Sequence, residues 1–186
     1  MKTILFATDN DRKIGEARAA CKDFDIEVEQ VKLNIDEIQS HDPRAISAHK
    51  AARAFELTEA PVVVTDNSWN VPTLKGFPGG YMKDVSAWFT PEDFLALMVS
   101  KDDRRISFTE TIVYTDANQT KTFSREFWGE FADKPRGVGE SIEQVAQFDG
   151  HTLGERRDQG TFSHEPKDYV WYDFAKWYKA LESTSS

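Results

Sequence analysis

The stretch Thr3-Ile4-Leu5-Phe6-Ala7-Thr8-Asp9-Asn10-Asp11-Arg12-Lys13 decides how this chain is read. Thr3 to Ala7 is a short apolar run closed by polar turn formers, the pattern of a buried strand. Asp11 to Cys21 places Ile14, Ala17, Ala20 and Cys21 at helical spacing among good helix formers. Strand, polar turn and helix in that order open an α/β unit. Such a turn presents backbone N–H groups and the positive end of a helix dipole, which together favour a phosphate. Thr8 and Asn10 add hydrogen-bond donors, and Lys13 adds a positive charge. The spacing by itself favours a plainer account, in which Thr8 or Asp9 caps the helix and Lys13 is solvated. No glycine-rich phosphate-loop pattern is present.

Outward from this unit, Ile26 to Val31 alternates as a second strand. Pro43 to Leu57 reads as a helix with proline near its start. Val62-Val63-Val64 is the β-branched run of a central strand. Gly76-Phe77-Pro78-Gly79-Gly80 signals a turn, and Pro91 to Val99 a short helix. Ser107 to Thr115 and Thr120 to Phe131 read as two strands, with Phe123, Phe127 and Phe131 on one side and Trp128 off that pattern. Glu140 to Pro166 is weakly patterned. Tyr169 to Leu181 reads as a closing helix whose aromatic stripe belongs to the core.

The chain has 186 residues, with 23 Lys and Arg against 32 Asp and Glu, for a net charge of −9. This balance argues against a general nucleic-acid binder, while a few placed lysines can still hold a small anion. Thirteen Phe and five Trp argue against disorder. The length suits one domain spanning 1–186. Cys21 alone rules out a disulfide framework. No apolar run is long enough for a transmembrane helix, and the N-terminus lacks a signal-peptide pattern. The chain therefore reads as a cytoplasmic protein with no membrane partner.

Asp66 follows Val62-Val63-Val64-Thr65 directly. Beyond a strand end, such an acid can hold Mg²⁺ through oxygen or cap a turn, and the sequence pattern leaves both open. Glu37 sits on a loop ahead of a helix. His41, His49, His151 and His164 have no zinc spacing, and no nucleophile-elbow signature occurs.

Taken together, these segments resemble the inosine/xanthosine triphosphate pyrophosphatase family. Thr8-Asp9-Asn10-Asp11-Arg12-Lys13 looks like its Thr/Ser-x-Asn-x-x-Lys motif. Asp36-Glu37-Ile38-Gln39 resembles its acidic loop, and Ala48-His49-Lys50-Ala51 its Lys-Ala helix. Val64-Thr65-Asp66-Asn67-Ser68 and Leu74 to Lys83 are similar to its signature strand and Gly-Phe-Pro-Gly loop. The resemblance implies an α/β fold with a mixed, elongated central sheet, two lobes and a cleft between them, usually as a homodimer. It implies Mg²⁺-dependent hydrolysis of a nucleoside triphosphate to monophosphate and pyrophosphate, which cleans the nucleotide pool. Asp66, Lys13 and Glu37 would be catalytic, with Glu37 and Asp66 on the metal. Thr8, Asn10, Lys13, Lys50, Asn67, Ser68, Lys83 and Lys167 would bind substrate.

Several family positions differ. Thr65 stands where the family has an acid before the strand-end Asp, and Ala45 where it has another. After Pro135-Arg136-Gly137 the aromatic segment that reads the base is replaced by Glu140-Ser141-Ile142-Glu143-Gln144-Val145. The family's Ser-His-Arg should fall near Trp171-Tyr172-Asp173, which lacks His and Arg. A site without those hydrogen-bonding groups should lose discrimination for inosine and xanthosine. Trp69, Trp171 or Tyr172 would then offer a stacking face for another base. The alternative is a non-catalytic nucleotide-binding or interaction protein on the same fold.

Overall fold

The computed structural model describes residues 2–160 and 169–181. The expected opening unit is present as strand β1 (Lys2–Ala7) and helix α1 (Asp11–Lys22). The cap of α1 is neither Thr8 nor Asp9. It is Asn10, whose side-chain oxygen accepts from the N–H groups of Arg12 and Lys13. Strand β2 (Ile26–Val31) and helix α2 (Pro43–Thr58) follow, α2 capped by Asp42 with Pro43 in its first turn.

Strand β3 (Val62–Val71) is longer than its valine run suggests. Strand β5 (Arg105–Thr115) pairs with it antiparallel from Val62↔Thr115 to Asn70↔Ser107. Asp66 therefore sits inside the strand rather than past its end. Partner strands fix strand length, and the partner is not visible in the local pattern. Strand β4 (Phe77–Gly79) folds back on β3, so the Gly-Phe-Pro-Gly turn itself carries a short strand.

Helix α3 (Met82–Trp88) lies in a stretch whose spacing predicts no element. Helix α4 (Pro91–Leu97) starts in a reciprocal cap between Thr90 and Asp93. It buries Phe94, with Met98 just beyond its end, while Val99 is exposed. Strand β6 (Thr120–Phe131) has the expected bounds, and Trp128 lies on its exposed side. The weakly patterned stretch contains strands β7 (Ala146–Phe148) and β8 (His151–Thr152) and helix α5 (Leu153–Asp158). Helix α6 (Val170–Ala180) closes the described chain.

Among the described residues these strands form one mixed sheet in the order β2-β1-β3-β5-β6-β7-β8, with β4 on β3. The β1 pairings to β2 and β3 are parallel, and those of β3 with β5 and of β5 with β6 are antiparallel. Alternation along the strands sorts three cores. Val63, Ile112 and Tyr114 face α1 and α6, where Trp171, Phe174 and Tyr178 are buried. The stripe on α6 is core, as its spacing implies. Val62, Val64 and Val113 face α2 across Ala51 and Ala54. Trp69, Val71 and Ile106 join Val85, Phe94 and Phe148 at the far end.

Candidate active site

The first and third of these cores share one sheet face and leave a gap between them. The inward series on β3 runs Val63, Thr65, Asn67, Trp69, Val71. On β5 it runs Ile106, Phe108, Glu110, Ile112, Tyr114, and on β6 Phe123, Arg125, Phe127. Register aligns Asn67 with Glu110, and Glu110 with Arg125. A polar row thus crosses the sheet between two apolar regions. Above it lies a cavity of about 390 Å³ whose lining includes Lys13, Glu37, Lys50, Asp66, Asn67, Lys83 and Glu110.

Four elements deliver the charged groups. The Asn10 cap fixes the first turn of α1, and with it Lys13. Burial pushes the Lys13 amine below the ordinary lysine value, the negative Asp66 opposes that fall, and Lys50 adds to it. On α2, Lys50 donates to Glu37 Oε1 at 3.0 Å. That hydrogen bond is the main reason the Glu37 carboxyl lies below its ordinary value; burial opposes it, and the charges of Lys50, Lys83 and Lys13 add to it. On β3, Asp66 accepts from the Asn67 N–H at 2.9 Å and from the Ser47 hydroxyl at 3.4 Å. Burial nonetheless raises the Asp66 carboxyl above its ordinary value, against the pull of Lys50 and Lys13. Lys83 comes from α3. A Cβ on Gly80 would lie 2.6 Å from Ile46 Cδ1 and 2.7 Å from the Ser40 carbonyl oxygen. The bare glycine lets the α3 entry lie against the segment after Glu37.

Of the expected site residues, Lys13, Glu37, Lys50, Asp66, Asn67 and Lys83 meet in this cavity, together with Asn10. Thr8 lines the adjoining groove with Asn10, Lys13, Glu37, Lys50 and Lys83, and its hydroxyl oxygen accepts from the Asn10 N–H. Ser68 points to the other sheet face and lines a second groove with Glu37, Asp66 and Lys83. Lys167 lies outside the described residues. Thr65 is buried, and its hydroxyl has no hydrogen-bond partner among the described residues. Trp69 lines the cleft, whereas Trp171 packs edge-on against Phe6 and Phe174 as core. Tyr172 is half-buried and packs edge-on against Phe24 at the far end of α1.

Pattern reading missed Glu110. Its signal is a charged residue inside the inward series Ile106-x-Phe108-x-Glu110-x-Ile112. It also missed the opposite wall. There Glu143 is buried, accepts from the Glu140 N–H at 2.9 Å and is ion-paired with Arg157. Arg156 donates to the Phe148 carbonyl at 2.7 Å, and Glu155 caps α5 through Thr152.

Of the carboxylates that line the cavity, Glu37 is ion-paired with Lys50, and Asp66 feels the charges of Lys50 and Lys13. Among the described residues no group of three or more His, Cys, Asp or Glu is placed to hold a metal ion. That donor set fits a hard cation such as Mg²⁺, which takes one or two carboxylates and completes its shell with water and substrate phosphate. It does not fit a closed all-protein site.

A mixed sheet with a strand–turn–helix cradle, and with Lys13, Lys50 and Lys83 beside Glu37 and Asp66 on one cleft, defines an α/β protein suited to a polyphosphate. Comparison with known proteins makes the assignment specific, because the sequence model of the Ham1 family matches residues 4–163. The chain belongs to the Ham1 family. It is 31% identical over 182 residues to a dITP/XTP pyrophosphatase of Methanopyrus kandleri, covering 95% of this chain and 96% of that one. It is 29% identical over 180 residues to a dITP/XTP pyrophosphatase of Methanosarcina acetivorans, covering 96% and 98%. A HAM1 protein from Coxiella burnetii shares the fold with a TM-score of 0.79 at 18% identity, over 96% of this chain and 98% of that one.

Proposed function

We propose that this protein is a nucleoside triphosphate pyrophosphatase that releases pyrophosphate and a nucleoside monophosphate and so cleans the nucleotide pool. The convergence of Lys13, Lys50 and Lys83 on Asp66 and Glu37 in one cleft carries the reading. Two relatives with the activity in their names, matched over nearly their whole length, support it.

In this reading Thr8, Asn10 and Lys13 hold phosphate oxygens at the start of α1, with Asn67, Ser68 and Lys167 as further substrate contacts. Lys50 and Lys83 neutralise charge from the other sides. Glu37 and Asp66 would hold Mg²⁺, which would supply positive charge beside the phosphate oxygens. Asp66 orients the water. Little covalent help is needed, because positioning and charge neutralisation carry most of the rate of phosphoryl-type transfer. Base preference has shifted from inosine and xanthosine, in keeping with the altered opposite wall. Residues 1–186 form one domain of two lobes, and the protein works as a cytoplasmic homodimer. Sedimentation velocity tests the dimer.

Pyrophosphate release from a panel of nucleoside triphosphates with Mg²⁺ tests the activity. Turnover of at least one, lost on chelation, is expected. No turnover of any at high enzyme concentration overturns it. A second reading, nucleotide binding without hydrolysis, draws on the Glu37–Lys50 ion pair, which occupies one of the two carboxylates. The Asp66→Asn variant separates the two, since only a hydrolase loses activity with it.

A further inference from the structure

Beside the groove that Thr8 and Asn10 line there is a second, small cavity of about 30 Å³, between β3, β5 and the first turn of α1. Lys13, Thr65, Asn67 and Glu110 line it, and Tyr169 and Trp171 close it from the start of α6. Thr65 and Glu110 share a sheet face and stand diagonally across the register, since Asn67 pairs with Glu110 and Thr65 with Ile112. The Thr65 hydroxyl is buried and has no hydrogen bond among the described residues. Among those residues the Glu110 carboxyl and the Lys13 amine also have no hydrogen bond or ion pair, so two opposite charges line one cavity without touching. The other cations near Glu110 are engaged elsewhere. Arg12 is paired with Glu16 at 3.0 Å, and Arg125, its cross-strand neighbour, is paired with Asp173 at 2.8 Å. Burial carries the Glu110 carboxyl up to about 7, with Glu16 adding to the rise, while Arg12, Lys13 and Arg125 oppose it.

A hydroxyl, a carboxyl and an amine sunk beside one another without partners are each costly. One molecule satisfies all three. A space of this size holds a single water, and a buried water makes about three hydrogen bonds. It accepts from the Lys13 amine and donates to the Glu110 carboxylate and the Thr65 oxygen. Polar groups too far apart to bond directly are joined in this way at little cost. We infer that Lys13, Thr65 and Glu110 hold one buried water, and that Glu110 acts through it as a positioning residue that aims the Lys13 amine at the phosphate groove. Of Lys13, Lys50 and Lys83, only Lys13 lines both spaces. The Asn10 cap fixes where the Lys13 side chain starts, and the water fixes where its amine ends. The positioning role rests on the phosphate reading of the cleft; the water site does not.

Two measurements test the two parts. The first is a double-mutant cycle of Thr65→Val and Glu110→Met, read by urea unfolding at pH 8. Both substitutions nearly keep the volume and remove the hydrogen-bonding group. Thr65→Val is expected to lower the folding equilibrium constant about fivefold in the wild type and to leave it level in the Glu110→Met background. A hydroxyl that holds no water would give level or higher stability on Thr65→Val in both backgrounds, and that result overturns the whole inference. The second measurement is calorimetric titration with pyrophosphate. Removing a negative charge beside an anion site tightens binding by itself. Positioning through the water predicts the reverse for one variant. Glu110→Met should weaken pyrophosphate about tenfold, whereas Glu110→Gln, whose amide oxygen still accepts from the water, should bind at least as tightly as the wild type. Unchanged or tighter binding by Glu110→Met overturns the positioning role. No binding of pyrophosphate by the wild type overturns the phosphate reading of Lys13 and the positioning role with it, while the unfolding cycle still decides the water site.

Discussion

The two walls of the cleft use charge in opposite ways. On the wall built from α1, α2 and α3, Lys13 and Lys83 form no ion pair among the described residues, and Lys50 has one, to Glu37. On the wall built from the 133–145 loop and α5, the arginines are tied down. Arg157 is paired with Glu143, Arg136 with Glu155 at 3.4 Å, and Arg156 with Asp149 at 3.5 Å. The first wall holds cations that a polyanion can neutralise. The second uses its charges to hold together a segment with little regular structure and a small core. Charge composition alone does not separate these roles; pairing does. The net −9 follows the same logic, since the overall surplus of acid coexists with a local gathering of Lys13, Lys50 and Lys83.

The contrast breaks most visibly at Asp66. Its carboxylate has two protein donors, and its burial disfavours the charged form. Asp66→Asn is expected to lower kcat by about a thousandfold, or about 4 kcal/mol in barrier, with little change in KM. Thermal melting at neutral pH should stay level or rise, because the variant removes a charge that folding desolvates. A fall in activity caused by unfolding would show in the melt.

The second wall should respond in stability. Gly137 has φ +75°, and a Cβ there would overlap the backbone of Gly154 and Glu155. Gly137→Ala is expected to cost about 3 kcal/mol in denaturant unfolding, through strain at positive φ and backbone overlap. Glu143→Ala should cost slightly less, about 2 kcal/mol, by removing the partner of Arg157 and the acceptor for the Glu140 N–H. At permissive temperature both variants should keep the phosphate contacts. If Glu143→Ala left stability unchanged and abolished turnover, the division between the walls would fail.

The same division governs what could be read from the sequence. The first wall comes from elements with clear periods and caps, so β1, α1, β2 and α2 were legible, and Lys13, Glu37, Lys50, Asp66 and Lys83 indeed meet. Even there, the cap is Asn10 and not Thr8 or Asp9, because α1 begins at Asp11, as its spacing indicates, and the capping residue is the one just before it. Asp66 looked like a strand end because the valine run stops at Val64, yet pairing with β5 carries β3 on to Val71. The second wall contains strands of three and two residues and a helix of six, too short to show any period. Glu110 was hidden for another reason. Its place in the inward series is visible within one strand, but its meaning depends on Asn67 and Arg125, which register brings alongside from two other strands.

The smallest expected effect sharpens the comparison at that residue, where the cleft floor belongs to neither wall. In the folded protein the Glu110 carboxyl is raised from an ordinary value of 4.5 to about 7. Below the lower value both folded and unfolded chains carry the proton, and burial costs nothing. Between the two, the folded protein holds a proton that the unfolded chain releases, so stability falls as pH rises. Above about 7 the folded chain carries the ionised group and the loss is complete. The size is on the order of 1–2 kcal/mol, after allowing for the partial exposure of the group. Urea unfolding at pH 5, 6, 7 and 8 should show this decline in the wild type, and Glu110→Gln should remove that component of the slope. A stability that stays level from pH 5 to pH 8, in the wild type as in Glu110→Gln, would show that the Glu110 carboxyl carries no cost of burial in the fold.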